Sequence, residues 1–490
     1  MSQVGRRSFL SRGSTALAGG VVLGGSFHSL VAGASPARSA QDLGTSEHHP
    51  LHPAPDNGGY GPLSPRRDQS TGEVMLALPA GFEYWSFGLT GEPGSDGFPT
   101  PDRHDGMAAF AGPRAHTVRL VRNHERGYSP VPFEGSGDEP LVGNPDNAYD
   151  RNSGGACTTL LFDTQQMRLL DSFISINGTS VNCAGGPTPW GSWLTCEETT
   201  NGPESQFRAP GAPDSDPFDS TIVYEKRHGY VFEVPAEGGP VTSPQPLTRL
   251  GRFAHEAVAV DPGNGLVYET EDTGRAGFYR FVPLEPGNLA AGGQLQMLRV
   301  MDRPYYDTRT GQTVGRRLAV DWVDIGDPDP ASATLNPSAV FEQGHAAGGA
   351  TFARLEGCWY ADGSIWFNST SGGDAGLGQV WEYRHRGQTT GQLTLVYEST
   401  DAARLEAPDN ITVSPRGGLL LCEDGSDEQY LRGVDFEGRI FDFALNLISE
   451  NQDKEFAGAT YSPDGSVLFV NIQTPGVSFA IRGPWERGTL

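Results

Sequence analysis

The sequence predicts an all-β chain folded as a six-bladed β-propeller with inserted loops, and three observations carry that reading. Its 66 glycines and 37 prolines punctuate short β-branched and aromatic runs. Long stretches with helical periodicity are scarce, as expected for many short strands joined by turns. One strand–turn–strand motif, with a polar or acidic residue at each end, recurs six times. A β-sandwich does not repeat one hairpin so often.

The first copy runs from His104-Asp105-Gly106 through Ala111-Gly112-Pro113 to Asn123-His124-Glu125. The second runs from Asn182-Cys183-Ala184 through Pro189-Trp190-Gly191 to Cys196-Glu197-Glu198, and the third from His255-Glu256-Ala257 through Asp261-Pro262-Gly263 to Thr270-Glu271-Asp272. The fourth spans Leu355-Glu356-Gly357 to Phe367-Asn368-Ser369, the fifth Pro408-Asp409-Asn410 to Cys422-Glu423-Asp424, and the sixth Ala457-Gly458-Ala459 to Val470-Asn471-Ile472. Further strands of alternating aromatic and polar residues, such as Gly277-Phe278-Tyr279-Arg280-Phe281 and Gln379-Val380-Trp381-Glu382-Tyr383, suit the outer part of a blade. The longest gap separates copies three and four, so Asp302 to Pro337 is expected as loops over one face.

Ahead of the repeat, Gly5-Arg6-Arg7-Ser8-Phe9-Leu10, the apolar run from Ala16 to Leu23 and small residues near Ala32-Gly33-Ala34 or Ala37-Arg38-Ser39-Ala40 read as a twin-arginine signal peptide over residues 1–40. The run is too short and Gly-rich for a membrane span, and nothing else in the chain approaches one. The sequence therefore predicts no integral membrane protein, but one handed to the twin-arginine export machinery and working in the periplasm or outside the cell. Residues 41–70, rich in His, Pro and Gly, read as a disordered linker, and 71–490 as the propeller.

A formal net charge of -25 excludes a nucleic-acid surface. Five cysteines, Cys157, Cys183, Cys196, Cys358 and Cys422, leave at least one thiol outside intramolecular pairing, and the absence of CxxC excludes a zinc ribbon.

The innermost strands of a propeller line one channel, where equivalent positions of each blade converge. The residues that open the copies are Asp105, Cys183, Glu256, Glu356, Asp409 and Gly458; acids or amides close them. Carboxylates gathered within a few ångströms repel by several kcal/mol at reduced dielectric, or raise one another's pKa, unless cations intervene. Oxygen ligands suit hard ions such as Ca2+, whereas a thiolate from Cys183 points to a transition metal such as iron. His124 and His255 each neighbour a candidate ligand along a strand, so each points to the opposite face and reads as structural.

These residues also carry a resemblance. Asn177-Gly178-Thr179, Cys183-Ala184-Gly185-Gly186-Pro187-Thr188-Pro189-Trp190-Gly191 and Cys196-Glu197-Glu198 are similar to the signature of PhoX-type alkaline phosphatases, as are Asn123-His124-Glu125, His255-Glu256, Thr270-Glu271-Asp272 and Arg354-Leu355-Glu356-Gly357. The resemblance implies a propeller phosphatase holding Fe3+ and Ca2+ and acting on small phosphate esters. Carried over by motif, Cys183, Glu198, Glu271 and Glu356 are the iron-side ligands, and Arg354 holds the substrate phosphate with its planar fork. Asn123, Glu125 and Asp409 are the calcium ligands by position. The chain departs from the family in reading Arg354-Leu355-Glu356 where Arg-Pro-Glu is expected, and in being shorter than its larger members. Alternative functions are a metal-dependent phosphodiesterase or lactonase on the same propeller, and a calcium-stabilised binding propeller without turnover. Cys183 and Arg354 argue for catalysis, since a structural calcium site needs neither.

Overall fold

A computed structural model describes residues 55–127, 141–205, 224–387 and 389–490. The twin-arginine segment and the linker up to residue 54 lie outside the described residues. Three strands come first: β1 (Ser64–Arg67), β2 (Val74–Leu78) and β3 (Glu83–Phe87). Six meanders follow. Blade one is β4 (His104–Ala111), β5 (Thr117–His124), β6 (Gly155–Asp163) and β7 (Arg168–Thr179). Blade two is β8 (Asn182–Pro187), β9 (Ser192–Glu197) and β10 (Val231–Pro235). Blade three is β11 (His255–Val260), β12 (Val267–Glu271), β13 (Phe278–Pro283) and β14 (Gly293–Val300). Strand β15 (Arg317–Asp324) and helix α1 (Ala339–Ala346) precede blade four, which is β16 (Leu355–Ala361), β17 (Ser364–Ser369), β18 (Gln379–His385) and β19 (Gly391–Glu398). Blade five is β20 (Pro408–Val413), β21 (Leu419–Glu423), β22 (Tyr430–Val434) and β23 (Ile440–Asn446); blade six is β24 (Phe456–Tyr461), β25 (Leu468–Ile472) and β26 (Val477–Arg482).

The innermost strands form a closed ring, β4 against β8, then β11, β16, β20 and β24, which returns to β4. The first and last strands of the described residues meet at the closure. Strand β3 completes blade six by pairing with β26 (Tyr84 opposite Ile481), and β2 adds to β23 of blade five.

Two expectations change. Residues 55–70 are structured rather than linker. Tyr60 is buried against Phe82 and Phe443, at 5.5 and 5.8 Å between ring centroids, and its hydroxyl accepts the Leu490 N–H at 2.9 Å. One aromatic inside a Pro- and Gly-rich stretch thus anchors the segment ahead of β1 to the C-terminal residue. The gap from Asp302 to Pro337 is not all loop. Leu318, Val320 and Trp322 alternate inward along β15, which pairs with β14 on one side and β19 on the other. Blades three and four therefore share one nine-stranded sheet, so the six meanders form five hydrogen-bonded sheets.

The inner strands pack backbone to backbone. A Cβ on Gly106 would come within 2.5 Å of Ala184 Cα, and one on Gly458 within 2.4 Å of Asp105 O. Side chains are excluded there, and the space they leave, lined by Met107, Trp193 and Ile411, is a cavity of about 20 Å³, room for about one water molecule. The channel has a floor directly beneath its acidic mouth.

Candidate metal centre

The site follows from one rung of the repeat. The pairs His104–His124, Asn182–Glu197, His255–Glu271, Leu355–Ser369, Pro408–Glu423 and Phe456–Ile472 form the top rung of the six blades. In the first five blades the register slips by one residue just below it, a bulge that re-aims the side chain after the rung; in blade six the slip comes one pair lower, below Ala457–Asn471. The residues after the rung are Asp105, Cys183, Glu256, Glu356, Asp409 and Ala457. Above the rung, the second strands continue into Glu125, Glu198, Asp272, Thr370, Asp424 and Gln473. Each of these donates its N–H to the carbonyl of the residue just before the rung on the inner strand: Arg103, Val181, Ala254, Arg354, Ala407 and Glu455, at 2.8–3.2 Å. Three six-membered sets therefore face the mouth, and they bring nine carboxyl groups, one thiol and two guanidinium groups together.

Two triads are close enough to share an ion. Ligand atoms of Cys183, Glu198 and Glu256 lie within 4.8 Å of one another, as do those of Glu256, Glu356 and Asp409. Glu256 belongs to both. The remaining acids, Asp105, Glu125, Asp272, Asp424 and Glu455, offer oxygen only.

Electrostatics show how far this arrangement stands from balance without cations. Burial, then the neighbouring Glu356 and Glu198, push the Glu256 carboxyl well up. Burial and Asp272 do the same to Glu198 and Glu356. Asp409 is pushed up to about 8 by burial and Asp424, and Glu125 to about 7 by burial against the opposing pull of Arg103. Asp105 is buried, and its Oδ1 has no hydrogen-bond partner. Burial and the Glu256 carboxylate likewise push the Cys183 thiol well up. Such a set holds its charged form only when a cation replaces the missing protons. A thiol with two carboxylates suits a transition metal, and the oxygen-only remainder suits a hard ion. The donor set fits.

Arg354 stands at the rim with φ 43°. Its Nε and Nη2 donate to the two Asp272 oxygens at 2.9 and 2.8 Å, and Nη2 also donates to Glu356 Oε1 at 2.9 Å. With 45% of its side chain exposed, it is the cationic group in contact with the second triad that a solute can reach.

The structure gathers Cys183, Glu198, Glu356, Asp409, Glu125 and Arg354 at the mouth, and it corrects two expected ligands. Asn123 is fully buried. Its Nδ2 donates to Cys183 O and Ala184 O at 2.9 and 2.7 Å, and its Oδ1 accepts from Trp193 Nε1 and Thr195 Oγ1 at 2.8 and 2.9 Å. It ties blade one to blade two and has no lone pair left for an ion. Glu271 sits on the rung itself, one residue short of the mouth, with Oε2 accepting from Gly277 N–H and Tyr279 hydroxyl at 2.7 and 2.8 Å. Its register neighbour Asp272 takes the mouth position. His124 and His255 are buried and bonded to main-chain carbonyls, as expected of structural histidines. Asp105 and Glu256 stand among the opening residues of the repeat, and aligning the copies by their last residues adds Asp272 and Asp424. Nothing in the motif singles out Glu455.

Comparison with known proteins bears on the family and the fold. The model of the family described as alkaline phosphatase PhoX matches residues 58–476. Among solved structures, Pseudomonas fluorescens PhoX in complex with vanadate, a transition state analogue, superposes with a TM-score of 0.62 at 19% identity, covering 87% of this chain and 99% of that one. A gluconolactonase from Xanthomonas campestris reaches a TM-score of 0.41 at 10% identity over 90% of this chain and 99% of its own, too remote to bear on function. No curated protein sequence matches. The family model spans most of the propeller, so this chain belongs to the PhoX alkaline phosphatase family and is an enzyme of the phosphatase class.

Proposed function

We propose that the enzyme hydrolyses phosphate monoesters at the acidic mouth, with iron held on the Cys183 side and calcium on the oxygen-only side. The observation that carries this reading is the pair of triads joined through Glu256, with an exposed arginine bonded to one of them. Cys183, Glu198, Glu256 and Glu356 would hold the softer ion, and Asp409, Glu125, Asp105, Asp272, Asp424 and Glu455 the harder ones. When bound, cations there would neutralise phosphate oxygens and make an attacking water more acidic.

The chain's own residues do the rest. Arg354 binds and orients the phosphate through Nη1, since its Nε and Nη2 donate to Asp272 and Glu356. Asp272 holds the guanidinium in place through two bonds. The Gly- and Ala-rich floor closes the site from below, so substrate enters and product leaves by the mouth.

Export through the twin-arginine pathway is part of the proposal. The leader motif supports it, and so does the state of the thiols: all five cysteines are buried and free, as suits a protein folded in a reducing compartment before transport. Among the described residues no helix is long and apolar enough to cross a membrane.

Elemental analysis of the purified protein, with p-nitrophenyl phosphate hydrolysis before and after chelation, tests the reading. Iron and calcium together, with turnover lost on chelation and regained on adding calcium, are expected. Chelator-insensitive turnover, or protein free of both metals that hydrolyses the ester, would refute it.

A further inference from the structure

One position of the repeat has a different duty from the acids beside it. The residue that closes the second strand, immediately before the mouth residue, is His124, Glu197, Glu271 and Glu423 in blades one, two, three and five, and all four are buried. Glu197 Oε2 accepts the N–H groups of Gly229 and Tyr230 at 2.8 and 3.1 Å, where the chain enters β10. Glu271 Oε2 accepts the Gly277 N–H at the entry to β13. Glu423 Oε2 accepts the Tyr430 N–H that opens β22, at 3.2 Å, while its Oε1 accepts the Glu406 N–H at 3.0 Å. His124 reaches Thr158 on β6 with Nε2 at 2.9 Å. Each of these side chains ties the top of a blade's second strand to its third.

The tie and the mouth acid occur together. His124, Glu197, Glu271 and Glu423 precede Glu125, Glu198, Asp272 and Asp424, whereas Ser369 and Ile472 precede Thr370 and Gln473, which carry no charge. An acid at the end of a strand, facing like charges, is repelled outward, and anchoring the residue before it removes that freedom.

We infer that Glu197, Glu271 and Glu423 are positioning residues, which hold the backbone from which Glu198, Asp272 and Asp424 reach a shared cation. The inference rests on the proposed cation role of the mouth. Glu271 gives the clearest test, because its Oε1 has no partner. In Glu271→Gln the amide oxygen can still accept both bonds made by Oε2, so the tie survives without the charge.

The experiment is calcium titration calorimetry on chelator-stripped full-length protein, with melting temperatures measured in parallel. Glu271→Ala is expected to lose about 10- to 100-fold in calcium affinity, the usual effect of removing a group that orients a ligand. Glu271→Gln is expected to bind like the wild type. Where the alanine variant does not fold, Glu271→Asp, which draws the carboxylate back by one carbon, is expected to show the same loss. Asp68→Ala is the control: Asp68 is a buried carboxylate in the β1–β2 turn that accepts from Ser86 and Thr71, and its loss is expected to lower the melting temperature alone. Wild-type affinity in Glu271→Ala or Glu271→Asp, loss in Glu271→Gln, or an equal loss in Asp68→Ala would overturn the inference. A wild-type protein that binds no calcium would instead remove the proposed function beneath it, and the inference with it.

Discussion

Stripping the cations should make the fold's stability fall with rising pH. In the metal-free protein, Glu125 rises from 4.5 to about 7 and Asp409 from 3.8 to about 8. Between the unfolded and folded values the native state binds more protons than the unfolded chain, so stability is full near pH 4 and is lost as pH climbs through about 7 to 8. At about 1.36 kcal/mol for each tenfold change, the two groups are worth roughly 3 and roughly 6 kcal/mol. Both keep an edge towards solvent, and halving the penalty for that screening leaves roughly 4 kcal/mol. That is a large part of the 5–15 kcal/mol typical of a folded protein. With an unfolding entropy of about 0.9 kcal/mol/K for a chain of this length, it corresponds to a drop of about 4–5 °C in Tm. Thermal melts at about pH 5.5 and about pH 9, with and without chelator, read the effect. Metal-replete protein should change little, since bound cations do the work of the protons. A stripped protein with the same Tm at both values, or a replete one that falls in parallel, would refute the argument.

Three substitutions separate the roles at the mouth. Glu256→Gln removes the ligand common to both triads and should reduce iron and calcium content together, as elemental analysis would report. Arg354→Ala should leave metal content intact while raising KM for p-nitrophenyl phosphate roughly 10- to 100-fold, the worth of about 1.5–3 kcal/mol for a charged hydrogen bond. Asn123→Ala strands the carbonyls of Cys183 and Ala184 and the Trp193 indole, so it should cost about 3–5 kcal/mol in chemical denaturation.

Much of the architecture was legible in the sequence because a propeller repeats itself. The six hairpins, the convergence of their opening residues and the family resemblance all come from spacing and residue type. Strand β15 escaped because its alternation of Leu318, Val320 and Trp322 lies outside the repeat, where the sequence reads as insertion. The N-terminal strands escaped because their partners, β23 and β26, lie at the far end of the chain. At the site the error was one of register. Glu271 and Asp272 are adjacent acids at a strand end, and composition cannot say which passes the top rung into the mouth. Pairing can: Glu271 lies opposite His255, as Glu197 lies opposite Asn182, so the ligand position falls to the next residue in each. Asn123 misled for a related reason. A polar side chain beside an acid looks like a ligand until the next blade's carbonyls are seen to occupy it.

The central claim is that all six blades contribute side chains to one multi-cation mouth. Anomalous diffraction from crystals of the purified protein, with data at the iron edge and at long wavelength for calcium, tests it most directly. An iron peak is expected among Cys183, Glu198 and Glu256, and calcium peaks among the oxygen-only acids. A mouth without anomalous peaks in crystals of active enzyme, or with cations bound elsewhere on the propeller, would contradict it.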